Sequence, residues 1–150
     1  MSEYIEKAIN ILKENDFRIT NPRKLVLKLL DKSSEALSAY EIKEKLDSQG
    51  KEVDIVSIYR IIEGREKNKL IHRVLSNSKI MKCQIGQEDE CHKHQEHHCH
   101  HLLICQKCGR IEEIHCAGIS PIIKKVENDS HFKIKSHNLE FYGICKNCLN

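Results

Sequence analysis

The sequence predicts an α+β protein in two parts: a helical N-terminal domain that closes with a β-hairpin, and a smaller α/β domain held by cysteines. Three observations predict this. Apolar residues recur at helical spacing through four stretches between residues 3 and 68, and two β-type runs, 70–75 and 79–83, then flank Ser76-Asn77-Ser78. Past residue 90 the apolar runs shorten to strand length, and two C-x-x-C knuckles, Cys105-Gln-Lys-Cys108 and Cys145-Lys-Asn-Cys148, bracket what remains. Between the parts lies QIGQEDE (84–90), polar and without periodicity, which divides the chain into a domain 1–83, a hinge 84–90 and a domain 91–150.

The first helix, 3–15, sets Ile5, Ala8, Ile9 and Leu12 on one face and carries acidic residues early. The next opens at ITNPRKLVLKLL. Thr20 or Asn21 can cap it, Pro22 suits a first turn whose N–H has no partner, and Leu25, Val26, Leu29 and Leu30 form the expected buried stripe. Ser38-Ala-Tyr-Glu41 is a capping box, with Ile42 and Leu46 inward and a stop near Gly50. Asp54 caps the fourth helix, whose apolar side is Ile55, Ile58, Ile61 and Ile62. Two helices joined by a short turn at Gly50 read as helix-turn-helix, and with the hairpin after them as a winged helix-turn-helix, an architecture that reads DNA. In the second part, LLIC (102–105) and RIEEI (110–114) are strands around the first knuckle. Ser120-Pro121 opens a helix with Ile122, Ile123 and Val126 inside, and FKIKSHNLEFYGIC alternates as a closing strand pair.

The two knuckles have the spacing of a four-cysteine zinc site. Two residues between thiolates let both sulfurs face one ion, and four thiolates leave no open position, so Cys105, Cys108, Cys145 and Cys148 would hold structural rather than catalytic Zn2+. Four further cysteines (Cys83, Cys91, Cys99, Cys116) and ten histidines remain. His72 and Cys83 fall on the two strands of the hairpin; with Glu113 and one imidazole from the 92–101 cluster they form a mixed S/N/O set that suits zinc and draws on both domains. Such an ion would fix the angle between the domains, which is how a sensor works.

Composition narrows the function classes. There is no run of about 20 apolar residues, so no membrane span is expected, and the N-terminus is an amphipathic helix rather than a signal peptide, which makes cytoplasm the expected location. With no export signal and His among the Cys, metal ligation accounts for the eight cysteines better than disulfides. Residues 1–83 hold 17 Lys+Arg against 13 Asp+Glu, and 84–150 hold 8 against 9, which places the modest net positive charge on the helix-turn-helix half. No H-E-x-x-H, Gly-rich phosphate loop, G-x-S-x-G or deaminase motif is present, so neither an enzyme nor a small-molecule substrate is expected.

Taken together, ITNPRKLVLKLL, SAYEIKEKL, SIYRII, HHLLICQKCGRIEEI and SHNLEFYGICKNC resemble, in order and spacing, the ferric uptake regulator family of bacterial metal-responsive repressors, over essentially the whole chain. The resemblance implies a homodimer whose C-terminal domain dimerises and whose winged helices bind double-stranded DNA at AT-rich inverted repeats when metal-loaded. By position it implies DNA contacts at Arg23, Ser57, Tyr59 and Arg60, with Tyr59 against a thymine methyl and the arginines on phosphate or groove edges. The zinc-sensing branch further implies a regulatory zinc at His72, Cys83, His98 and Glu113; iron and peroxide sensors usually lack that hairpin cysteine. His137 matches a family histidine and implies a further site with His100 or His101. Leu102 stands where the family often has the nearer of two histidines, Ser120 where iron sensors place an acid, and the segment 91–97 has no fixed counterpart. The resulting expectation is a zinc-responsive repressor of metal-uptake genes. The alternatives are an iron- or peroxide-responsive regulator of the same family and, from another class, a zinc buffer or chaperone.

Overall fold

The computed structural model describes residues 2–84, 101–114, 119–135 and 137–150, apart from the Lys67 side chain. Two compact units divide between Gln84 and Ile85. The segment 85–100, with most of the expected hinge and with Cys91, His98, Cys99 and His100, lies outside the described residues, as does Cys116.

The first unit is built from helices α1 (Glu3–Glu14), α2 (Asn21–Lys32), α3 (Ala39–Asp47) and α4 (Ile55–Lys67), followed by strands β1 (Ile71–Arg73) and β2 (Ile80–Lys82). Local chemistry sets the boundaries. Ser2 accepts from the Ile5 N–H at the start of α1, and Asp54 accepts from the Ser57 N–H at the start of α4. At α3 the capping box is complete: Glu41 N–H donates to Ser38 Oγ at 3.2 Å and Ser38 N–H to the Glu41 carboxylate at 2.7 Å. Thr20 is the N-cap of α2 by position, but its side chain makes no capping bond. Gly50, at φ +69°, supplies the left-handed turn between α3 and α4.

The main core joins Val26, Leu30, Leu37, Ile42, Leu46, Ile58, Ile61 and Ile62 with Ile71 and Ile80 of the hairpin. A second, smaller cluster joins Ala8, Ile11 and Leu12 of α1 to Leu27 and Leu70. Two expected faces therefore shift by a residue or two. Ile11, not Ile9, is buried in α1, and Leu27 is buried in α2 while Leu25 and Leu29 only edge the main core, because α2 is packed on two sides. The hairpin pairs antiparallel with His72 opposite Met81, and Ile80 also bridges to Leu37, which adds a third short rung to the wing. Ion pairs hold it in place: Lys79 to Glu41 at 2.7 Å, Lys82 to Asp31 at 2.9 Å, and Arg73 to Glu66 at 2.7 Å.

The second unit contains β3 (His101–Cys105), β4 (Ile111–Ile114), α5 (Ser120–Ser130), β5 (Glu140–Gly143) and a 3-10 turn at Lys146–Cys148. Its sheet order is β4-β3-β5, with β3 antiparallel to β4 and parallel to β5. Among the described residues one strand forms where a closing pair was expected; residues 132–135 are irregular. The helix also differs from expectation. No described residue of α5 is buried, and Ile122 (60% exposed) and Val126 (47%) face outward, since no described element of the unit covers that side.

Candidate metal centres and nucleic-acid interface

The parallel pairing of β3 with β5 creates the four-cysteine centre. Cys105 lies opposite Gly143 at the C-terminal ends of the two strands, so both knuckles leave the sheet at the same end and on neighbouring strands. Gln106 N–H donates to the Gly143 carbonyl at 2.8 Å, and Gly109, at φ +75°, turns the chain back so that its N–H reaches the Cys105 carbonyl at 2.9 Å. The ligand atoms of Cys105, Cys108, Cys145 and Cys148 all lie within 4.8 Å of one another, with the Cys108 and Cys145 Sγ atoms 3.7 Å apart. Four sulfurs about 2.3 Å from one tetrahedral ion would stand about 3.8 Å from each other, so the cradle fits zinc.

The thiols differ in acidity. N–H donors from Cys145 and Cys108 pull Cys105 down to about 6, with the Cys145 N–H 3.3 Å from its Sγ. Cys148, crowded first by Cys145 and then by Cys108, is pushed up to about 12. A dication at the centre reverses that crowding by stabilising every thiolate at once.

The hairpin carries a second grouping. The Cys83 N–H donates to the Leu70 carbonyl at 3.0 Å, which extends the ladder by one pair and makes Cys83 a diagonal, same-face neighbour of His72. Their ligand atoms come within 4.8 Å of each other, and both side chains are half-buried. Glu113 is half-buried on β4, opposite Leu102. His98, the fourth residue of the expected set, lies outside the described residues.

In the second unit His101 and His137 come together, ring centroids 5.0 Å apart and tilted by 32°. His101 is fully buried; that burial, and then the neighbouring His137, hold it below the usual imidazole range. His100, the other residue expected there, lies outside the described residues.

Of the expected DNA contacts, Tyr59 (47% exposed) and Arg60 point away from the core on the outer face of α4. Ser57 is more occupied than the sequence suggests, since its N–H and its hydroxyl both donate to Asp54. Arg23 donates to the Arg18 carbonyl and holds its guanidinium 5.5 Å over the Phe17 ring, so it braces the entry to α2. Tyr40, 70% exposed in the first turn of α3, was missed as a surface feature. The signal was the residue itself, an aromatic on the outward side of a capping box read only for its cap.

A wing-bearing helix-turn-helix unit and a unit that gathers four cysteines around one point define a metal-binding transcription regulator. The comparisons identify the family. The model of the ferric uptake regulator family matches residues 14–142, and the chain belongs to that family, whose members are metal-responsive transcription regulators rather than enzymes. It is 33% identical over 140 residues to a ferric uptake regulation protein of Legionella pneumophila, covering 91% of this chain and 95% of the relative. A peroxide operon regulator of Bacillus subtilis is 24% identical over 144 residues, covering 96% of this chain and 92% of the relative. The fold matches that of a zinc uptake regulator solved with zinc and DNA, at a TM-score of 0.83 and 21% identity, over 99% of this chain and 97% of that one. No helix among the described residues is long and apolar enough to cross a membrane.

Proposed function

We propose that this protein is a zinc-responsive repressor that binds AT-rich inverted-repeat operators of metal-uptake genes in the cytoplasm as a homodimer. In this reading residues 1–83 form the DNA-binding domain and 91–150 the metal-binding, dimerising domain, with 84–90 as the hinge. The observation that carries the choice of zinc is the His72–Cys83 pair. A thiolate beside an imidazole is a softer donor set than iron or manganese sensing favours, and zinc accepts it readily. The reading assigns His98 and Glu113 as the remaining ligands of that ion, and Cys105, Cys108, Cys145 and Cys148 to a structural zinc. It places Tyr59 against a thymine methyl in the major groove and Arg60 and Arg23 on phosphate or groove edges, with Ser57 beside them on the same surface. The solved zinc uptake regulator, bound to zinc and DNA in the same fold, supports it.

The test starts from protein holding only the structural ion. Its binding to an AT-rich palindrome is titrated separately with Zn(II), Mn(II) and Fe(II), beside a Cys83→Ser variant. Switching by zinc alone, with a silent variant that keeps its structural ion, is the expected result. A second reading, an iron- or peroxide-responsive regulator, draws on the all-nitrogen His101–His137 pair, which suits a harder metal. It takes over if Mn(II) or Fe(II) switches binding and Cys83→Ser changes nothing.

A further inference from the structure

The buried stripe of α4 runs Ile58, Ile61 and Ile62, and its next position one turn on is Arg65. Arg65 is 1% exposed, and among the described residues none of its Nε, Nη1 and Nη2 atoms has a hydrogen-bond partner. Burial pushes it down to about 10, with Arg23 adding a smaller effect in the same direction against Tyr4. A guanidinium in such a place forgoes its hydration without an ion pair or hydrogen bonds in return.

The groups near this part of α4 include Tyr4 of α1, Phe17 of the turn after it, Arg23 of α2 and Leu70 before β1. Tyr4 is near enough to act on the Arg65 charge, and its hydroxyl donates to the Leu70 carbonyl at 3.0 Å; the Leu70 N–H in turn donates to the Arg65 carbonyl at 3.0 Å. The Phe17 ring packs against Gly64, where an added Cβ would stand 3.5 Å from Phe17 Cε1. The main core of the unit contains no residue of α1, which is held instead by the small cluster with Leu27 and Leu70 and by Lys82 of the wing, 5.7 Å over the Tyr4 ring. Helices α2–α4 and the wing can therefore stay packed while α1 leaves.

We infer that α1 is a releasable cover over Arg65: it detaches from an otherwise folded DNA-binding unit, and hydration of the uncovered guanidinium favours that release. The observation beneath this is an unpartnered buried charge placed where the smaller of two separate clusters closes. The inference does not depend on which metal the protein senses.

Amide hydrogen exchange on the zinc-loaded full chain tests it, with urea varied below the unfolding transition. In the wild type, the α1 amides of Ala8, Ile11 and Leu12 should exchange faster, and with weaker urea dependence, than those of Ile42 and Leu46 in α3. Arg65→Met, which removes the charge at similar volume, should slow the α1 amides about tenfold or more, by the same factor as the α3 amides, since the charge is hydrated in both open states. Arg65→Lys, which keeps a charge, should not slow them. The inference is overturned if α1 and α3 amides share one rate and one urea dependence in the wild type. It is also overturned if Arg65→Met slows α3 but leaves α1 unchanged, because the charge would then stay covered when α1 opens. Slowing by Arg65→Lys would likewise overturn it, by tracing the effect to size. Should Arg65→Met fail to fold, the wild-type urea dependence decides by itself.

Discussion

Glu41 couples the helix-turn-helix to the wing, and its removal has a calculable cost. Its carboxylate accepts from the Ser38 N–H at 2.7 Å and pairs with Lys79 at 2.7 Å, so one side chain closes the α3 cap and ties down β2. Lys79 first, and the Ser38 N–H second, hold Glu41 at about 2, below its ordinary 4.5. At face value that shift is worth about 3 kcal/mol. Glu41 is 38% exposed, and solvent screening of a half-open pair cuts the figure to about 1–1.5 kcal/mol, which agrees with about 1 kcal/mol for the cap plus about 0.5 for the ion pair. Glu41→Ala should lower the stability of the first unit by that amount, moving its urea midpoint down by about 1 M in far-UV circular dichroism. Glu41→Gln keeps a capping acceptor and should lose only about 0.5 kcal/mol. The folded-state value is depressed, so the carboxylate's contribution is complete above about 4.5 and lost as pH falls through about 2. Its loss is well under way by about pH 3. Comparing wild type with Glu41→Gln at each pH cancels the acid sensitivity of the thiolate site, which both share. If Glu41→Ala is within 0.3 kcal/mol of wild type at about pH 7, or if the Glu41→Gln difference does not shrink on acidification, the coupling argument is wrong.

Ile58→Ala, at a fully buried position of the main core, should cost about 3 kcal/mol in the first unit and leave the zinc content of the second unchanged, measured by urea unfolding and metal analysis. Cys105→Ser should remove the structural zinc and collapse the dispersed amide signals of the second unit in NMR spectra, because the cradle supplies much of that unit's folding free energy. Gly109→Ala meets no atom within 4 Å but must hold φ near +75°, so about 1 kcal/mol of backbone strain should appear as roughly fivefold weaker zinc binding in a chelator competition. Arg60→Ala should weaken operator binding, most strongly at low salt, and reduce the steepness of its salt dependence; an unchanged slope would remove Arg60 from the phosphate contacts.

The sequence by itself determined what neighbouring residues decide among themselves. Ser38 and Glu41 close a cap across three residues, Asp54 starts α4, Gly50 turns the chain, and each C-x-x-C knuckle sets its two thiols for one ion; all of these are short-range chemistry. The diagonal meeting of His72 and Cys83 was legible for the same reason, since hairpin register follows from the turn between the strands. Only the tertiary structure decided which partner each face received. The parallel pairing of β3 with β5 brings Cys105 beside Cys145 across a long crossover, and sequence pattern does not specify a strand's neighbour. A helical stripe looks the same whether or not something covers it, which is why α5 was expected to bury Ile122 and Val126 and instead exposes them. Ile9 and Ile11 in α1, and Leu25 and Leu27 in α2, are equally apolar, and packing alone chose between them. Ser57 and Arg23 were legible as residue types, but their hydrogen bonds to Asp54 and Arg18 depend on how the turns close. Arg65 shows the same limit from the other side: its charge suggests a solvated position, and only the packing around the end of α4 buries it. Burial is a property of two surfaces, and a sequence read along its length supplies one of them.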